Sequence, residues 1–201
     1  MVDFFVQGGG FMWPILIALL FGLAVVGERA YSLINSSSDT DKFFEDVKTT
    51  YDDSGKEKAI EFCESASGPV ASIFYAGLSK MGKQKEEIEK AVQNAGGLEM
   101  AFLEKNMIWI NSVITIAPML GFTGTVVGMI KAFEDIKMAN DISPAVVAGG
   151  ISQALLTTAF GLIVAMIMQV SQNFFVSMID KLILDMEEQS IKIVEYLQNT
   201  K

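Results

Sequence analysis

The hydrophobic and polar positions of this chain divide it into three long apolar runs and two charge-bearing stretches. The first apolar run opens at Trp13 and Pro14 and lasts to about Leu33; the second covers 107–130; the third lies inside 142–179, where no Asp, Glu, Lys or Arg occurs. A bilayer core takes about 20 residues of helix, so the first two runs have the length of one crossing each and the third has length to spare. That surplus predicts a helix that continues past the membrane. Between the first two runs, apolar residues recur at helical spacing: Phe43, Phe44 and Val47, then Ile60 and Phe62, then Ile73, Phe74 and Leu78. Gly55, the pair Gly68 and Pro69, and Gly82 punctuate these segments, and a loop is expected at 35–38. From 83 onward a charge-rich helix start flows toward the second run with only Gly96 and Gly97 as breakers. The charges of this middle stretch read as a solvated helical face, with a docking surface for other subunits as the alternative.

The pattern predicts an all-α membrane protein: three transmembrane helices, a helical cytoplasmic domain between the first and second, and a long third helix extending into the cytoplasm. The expected divisions are a short N-terminal segment 1–10, a first span 11–33, the cytoplasmic domain 34–106, a second span 107–130, a short loop 131–143, a third span 144–170 and a cytoplasmic extension 171–201. The short loop makes the second and third spans antiparallel neighbours. No Lys or Arg precedes the first span, whereas Arg29, Lys42 and Lys48 lie at or after its end, which places the N-terminus outside the cytoplasm and the C-terminus inside. The start lacks a basic leader and a small-residue cleavage site, so the first run reads as a retained anchor. Pro14 suits a first helical turn, and Trp13 and Tyr31 stand about one membrane thickness apart, as interfacial aromatics do.

Composition sharpens the class. Apolar residues make up 51% of the chain, which points to a membrane protein in contact with lipids. A net charge of −9 without clustered Lys and Arg argues against nucleic acid. The chain has no His and a single cysteine, Cys63. No nucleophile and base pair, phosphate loop or metal cluster is visible, so neither an enzyme, nor a catalytic residue, nor a cofactor or metal site is expected. Cys63 reads as a half-buried small side chain in a reducing compartment.

The polar residues inside the apolar runs carry the remaining information. Ala117, Gly121, Thr125, Gly128 and Ala132 recur at intervals of three and four, which puts them on one face of the second span. In the third span Gly150, Ala154, Thr158, Gly161, Ala165 and Gln169 do the same. Small residues on a stripe let membrane helices approach closely, so helix packing is one reading of these seams. Each stripe also carries one threonine near mid-membrane, and the joint pattern favours a shared polar lining. Thr125 either bonds back to its own backbone or lines a passage. Ser152, Gln153 and Thr157, with Thr158, must face other helices or a wet cavity at this depth, and together with Thr125 they are the expected lining of an ion pathway. None of them ionises, so in an ion pathway the ionisable group comes from another chain. Pro118 is expected to bend the second span.

Two stretches carry a family resemblance: Ala117-Pro118-Met119-Leu120-Gly121-Phe122-Thr123-Gly124-Thr125-Val126-Val127-Gly128-Met129-Ile130 and Gly150-Ile151-Ser152-Gln153-Ala154-Leu155-Leu156-Thr157-Thr158-Ala159-Phe160-Gly161-Leu162-Ile163-Val164-Ala165. They resemble the MotA/TolQ/ExbB proton channel family, closest to its three-span ExbB/TolQ branch. Glu28-Arg29 and Gly68-Pro69-Val70 also look like that family, and the likeness covers nearly the whole chain in order. It implies a homo-pentamer in the bacterial inner membrane, with 1–10 and 131–143 on the periplasmic side. The ring would surround an ExbD/TolR-like single-span partner that supplies a membrane Asp, with Thr125 and Thr158 lining the lumen beside it. Proton flow would turn the partner helices and pass force to the outer membrane through a TonB- or TolA-like protein. A charge moving down the membrane potential releases about 2.3 kcal/mol per 100 mV, so several protons per work step are implied.

The expected function is an ExbB-like motor subunit that uses the proton motive force to energise TonB-dependent outer-membrane transport. A TolQ-like or sodium/proton stator subunit for envelope maintenance or motility is the alternative within the class, and a non-conducting membrane scaffold the alternative outside it. Two positions depart from the resemblance. Gln153 stands where many ExbB-like members carry a glutamate, and Met166-Ile167-Met168 lacks the family's frequent proline, which implies a straighter third helix. The Thr157-Thr158 pair resembles that of some sodium-driven stators, and sodium, a hard cation, favours oxygen ligands.

Overall fold

The computed structural model describes residues 2–36, 39–139 and 144–199. Among them every regular element is an α-helix: α1 (Val2–Gln7), α2 (Met12–Ser36), α3 (Thr40–Ser54), α4 (Lys56–Ser65), α5 (Pro69–Ser79), α6 (Lys85–Leu103), α7 (Met107–Ala139) and α8 (Pro144–Asn199). The chain divides into two compact units, Met1–Arg29 with Asn106–Phe174 and Ala30–Lys105 with Phe175–Lys201.

The first unit holds apolar helix from α2, α7 and α8, which among the described residues are the three helices long and apolar enough to cross a membrane. α2 begins with Pro14 inside its first turn, where a missing N–H costs nothing. It packs through Gly22, where an added Cβ would stand 2.6 Å from the Met168 sulfur and 3.4 Å from a Val113 methyl, so a larger residue would push α2 off both neighbours. Met12, Ile15, Ile110, Val113, Val164 and Met168 are buried. The opposite faces are apolar too: Trp13, Ile17, Leu20 and Phe21 on α2, Met119, Phe122 and Val126 on α7, and Leu155, Leu162, Met166 and Val170 on α8 are all exposed. Hydrating such a surface is unfavourable by about 25 cal/mol per Å², which assigns it to hydrocarbon or to other chains.

The second unit is built around aromatic and aliphatic contacts. Phe43 stacks on Phe62 and Phe74 at 5.5 and 5.6 Å, and Phe44 meets Phe74 and Tyr196 edge-on. Val47, Cys63, Ile73, Phe74, Leu78, Val92, Ile193 and Leu197 are buried around them. Gly77 keeps α5 close to α6 and α8, since an added Cβ would stand 3.3 Å from methyls of both Val92 and Leu197. Asp39 caps α3 by accepting from the Lys42 amide, Gly55 turns the chain between α3 and α4 at φ 85°, and Pro69 opens α5. On the polar side Lys192 bridges Asp41 and Glu188 at 2.7 and 2.8 Å.

Four features differ from the sequence pattern. The segment 1–10 contains a helix, α1, whose Phe5 meets Trp13 edge-on at 5.4 Å; its six residues are too few for periodicity to reveal. The segment 131–143, expected as a loop, is helical through Ala139, and 140–143 lie outside the described residues. Charge ends a hydrophobic run but not a helix, and 131–139 contain no Gly or Pro. α6 runs through Gly96 and Gly97 but does not flow into α7: it ends at Leu103, and Asn106 takes a left-handed conformation, φ 65°, just before α7. Asn tolerates that region better than other side-chain-bearing residues. Of the loop expected at 35–38, residues 35 and 36 still belong to α2, and 37–38 lie outside the described residues. α8 is one uninterrupted helix of 56 residues, nearly three times what a crossing needs.

Candidate ion-pathway seam

Within the first unit α7 and α8 touch along their small-residue stripes. Read down α7, the contacts climb α8 in reverse. Gly161 faces Ala117, Gly121 faces Thr157 and Thr158, Gly128 faces Ala154, and Gly150 faces Ala132, the order that two antiparallel helices require. The approach is backbone to backbone. A Cβ added at Gly161 would stand 2.6 Å from the Ala117 carbonyl oxygen and 3.2 Å from the Gly121 Cα; one added at Gly121 would stand 2.8 Å from the Thr157 carbonyl oxygen. Only hydrogen as a side chain permits this, and such close approach brings the threonines of one helix within reach of the other's carbonyls.

Thr125 and Thr158 meet there, their hydroxyl oxygens 2.5 Å apart. The Thr125 hydroxyl is also 3.0 Å from the Ala154 carbonyl on α8 and 3.3 Å from its own Gly121 carbonyl. Thr158 reaches the same Gly121 carbonyl at 3.2 Å. With one hydroxyl proton, Thr125 has acceptors both on its own backbone and across the seam and donates to one of them at a time. Both residues are half-buried. No ionisable residue occurs in 107–130 or 144–179, and the nearest along α7 is Lys131. The pair can give and take hydrogen bonds and cannot itself hold a charge.

The other polar residues of the motif go elsewhere. Thr157 is 1% exposed, with its hydroxyl 2.7 Å from the Ala154 carbonyl and 3.2 Å from that of Gly121. It faces into the unit, toward Gly124 and Phe11: a Cβ added at Gly124 would stand 2.7 Å from the Thr157 hydroxyl and 3.1 Å from the Phe11 Cβ. Gln153 lies over Gly9, whose φ of 73° and missing side chain leave room for the amide. Ser152 is exposed, Ala165 half-buried, and Gln169 exposed with its amide donating to Asn173 at 2.9 Å. Toward the other end of the α2 segment, Arg29 is 1% exposed and lies 3.9 Å from Glu28, which also accepts from the Asn106 amide at 3.2 Å.

Gly9, Phe11 and Gly124 were not legible as parts of this arrangement. Gly124 lies three residues from Gly121, on the neighbouring face of the same helix, and that spacing was the one available signal. Gly9 precedes the expected first span, Phe11 is its first residue, and both meet the motif only through folding.

Comparison with known proteins gives a consistent picture. The model of the MotA/TolQ/ExbB proton channel family matches residues 65–188. The chain is 28% identical to the putative biopolymer transport protein ExbB-like 3 of Synechocystis sp. over 173 residues, 85% of this chain and 82% of that one. It is 27% identical to the putative biopolymer transport protein ExbB homolog of Methanothermobacter thermautotrophicus over 199 residues, 98% of this chain and 69% of the relative. The Tol-Pal system protein TolQ of Pseudomonas aeruginosa is 27% identical over 117 residues, 53% of this chain and 51% of its own.

Proposed function

The chain belongs to the MotA/TolQ/ExbB proton channel family, and on that premise we propose that it builds the ion pathway of an inner-membrane motor of the ExbB type, which uses the proton motive force to energise TonB-dependent outer-membrane transport. The observation that carries this reading is the Thr125–Thr158 hydroxyl pair, half-buried in a seam without ionisable side chains. Such a pair can hold and orient a proton-carrying group but cannot be one. The carboxyl therefore comes from an ExbD/TolR-like single-span partner, enclosed by a homo-pentamer of this chain and linked to a TonB- or TolA-like protein. The N-terminus lies on the periplasmic side and the second unit in the cytoplasm, where the basic residues after the first span belong. Thr125 and Thr158 line the pathway, exposed Ser152 continues it, and Gln153 and Thr157 act from behind the lining.

The test is reconstitution of the co-purified complex in proteoliposomes with an imposed pH gradient. Thr125→Ala and Thr158→Val should each abolish proton uptake while leaving the complex intact; full uptake in both would sink the reading. A non-conducting scaffold would show no uptake even in the unaltered complex, yet would still lose assembly on Gly121→Leu. The similarity to a TolQ protein supports a second reading within the class, envelope maintenance. Deleting the gene separates the two: loss of energised outer-membrane uptake favours the ExbB role, a leaky envelope the TolQ role.

A further inference from the structure

The Thr125–Thr158 pair does not sit midway along the charge-free part of α7. At about 1.5 Å per residue, Thr125 lies about 9 Å from Lys131 and about 27 Å from Met107, where the helix begins, and no ionisable side chain occurs in 107–130. The Met107 end of the seam carries polar side chains of its own. A Cβ added at Gly22 would touch both Val113 and Met168, which sets these two at one level of the first unit. Asn111 lies two residues before Val113, and Gln169 lies one residue after Met168. Because α7 and α8 are antiparallel, both steps lead toward the Met107 end, so the two amides share a level. At about 100° per residue, Asn111 is about 40° around α7 from Thr125, and Gln169 and Asn173 are about 20° and about 60° around α8 from Thr158. All five residues therefore stand on one side of the seam. α2 packs on the other side, where Gly124 faces Phe11 and Gln153 lies over Gly9.

Asn111, Gln169 and Asn173 are all exposed. The Gln169 amide donates to the Asn173 carbonyl oxygen at 2.9 Å, whereas among the described residues the side-chain amide of Asn111 has no hydrogen-bond partner. Hydrocarbon would leave such groups unsatisfied, so a polar environment covers them. Neutral amides, each able to donate and to accept, hold no charge themselves and can order water. We infer that Asn111, Gln169 and Asn173 line a water-filled mouth at the Met107 end of the seam, through which the ion passes between the threonine pair and the cytoplasm. The inference rests on the reading that the pair lies on an ion pathway, and adds where water reaches it and which side chains hold that water. The shared side of the seam favours water over a helix of a second copy. An ion moving along this side from Thr125 to Met107 meets no ionisable group over about 27 Å, and a bare charge in a low dielectric over that length is strongly disfavoured. Ile114 and Pro118 on α7 and Leu162 and Ala165 on α8 bring no polar side chain to the stretch between the two stations, so the amides mark the inner limit of the polar lining.

Single-cysteine labelling tests this, with the full complex in sealed, inverted membrane vesicles that expose the cytoplasmic side and with Cys63→Ala as background. Asn111→Cys and Gln169→Cys should react with a membrane-impermeant sulfonate thiol reagent about tenfold faster than Leu23→Cys, because apolar surroundings hold a thiol protonated and unreactive. Leu23 is the matched control: it is exposed, next to Gly22 at the same level, and on α2. Equal rates at all three positions overturn the inference, since depth alone then accounts for the exposure. Slow labelling at Asn111→Cys overturns it too, and disulfide-linked dimers on oxidation would then assign the amide to a second copy. In proteoliposomes, Asn111→Leu and Gln169→Leu should each lower proton uptake several-fold, and Asn111→Ser and Gln169→Ser, which keep a polar group, should retain most of it; alanine carries the same test where leucine disturbs assembly. Full uptake in both apolar variants overturns the role in the pathway even if the cysteines label quickly. A complex that takes up no protons when unaltered overturns the functional reading and the ion route with it, while the labelling rates still decide whether the mouth is wet.

Discussion

Gly161 lies against Ala117 so closely that an added Cβ would stand 2.6 Å from the Ala117 carbonyl oxygen. That contact is backbone against backbone, so no side chain can rotate away to absorb a larger residue. Gly161→Ala should therefore destabilise the chain by about 1–3 kcal/mol, the range for overpacking a close contact. Thermal unfolding in detergent measures it; an unchanged midpoint would show that α7 and α8 are not in this register. The same variant should weaken proton uptake, because the separation that relieves the clash also parts Thr125 from Thr158.

Gly9 and Gln153 should be energetically coupled. Gly9→Ala introduces a Cβ at φ 73°, where L residues are strained, and directs it into the Gln153 amide. Gln153→Ala removes the collision but not the strain. In a double-mutant cycle on unfolding midpoints the second substitution should recover part of the loss, with a coupling of about 0.5–1 kcal/mol. Strictly additive effects would place the two residues apart.

Cys63 should resist alkylation in the folded protein. It is 2% exposed, and burial pushes its thiol up to about 12. The thiolate is the reactive form, so maleimide labelling at pH 8 should be slow until the chain is unfolded, then complete, as read by mass spectrometry. The shift also fixes a direction for stability. A thiol whose folded pKa lies above its unfolded value of 9.0 favours folding fully below pH 9 and loses that contribution as pH rises toward 12. Cys63→Ala should therefore show a shallower alkaline decline in unfolding midpoint.

At the acid end the pair Asp41 and Lys192 should matter. Hydrogen bonds from Lys192 and then Gln189 hold the Asp41 carboxyl below its ordinary 3.8. A carboxylate with a lowered folded pKa contributes above its unfolded value and loses that contribution as pH falls through the folded one. Asp41→Asn should flatten the fall in thermal midpoint below pH 4 and leave the midpoint at pH 7 nearly unchanged, because the group is exposed and screened. A large loss at pH 7 would mean that the contact organises the second unit.

Local periodicity determined most of what is helical here, and spacing along a helix placed Ala117, Gly121, Thr125 and Gly128 on one face and Gly150, Ala154, Thr158 and Gly161 on another. A helix has one geometry, so a stripe is readable without its partner, and the absence of charge in 144–179 is a fact of composition that folding does not change. Contact between the two stripes, and the meeting of Thr125 with Thr158, required the register between α7 and α8, which depends on every glycine contact along the seam at once. Adjacent residues show the limit most clearly. Thr157 and Thr158 differ by one position and are chemically identical, yet the step of about 100° between them buries the first against Gly121 and Gly124 and leaves the second half-buried. Gln153 likewise met Gly9 through a turn more than 140 residues away, a pairing that only tertiary structure could make. Composition therefore settled that this seam carries no charge of its own, and tertiary structure decided which threonine is buried and which are only half-buried, because burial is a relation between helices and not a property of either one.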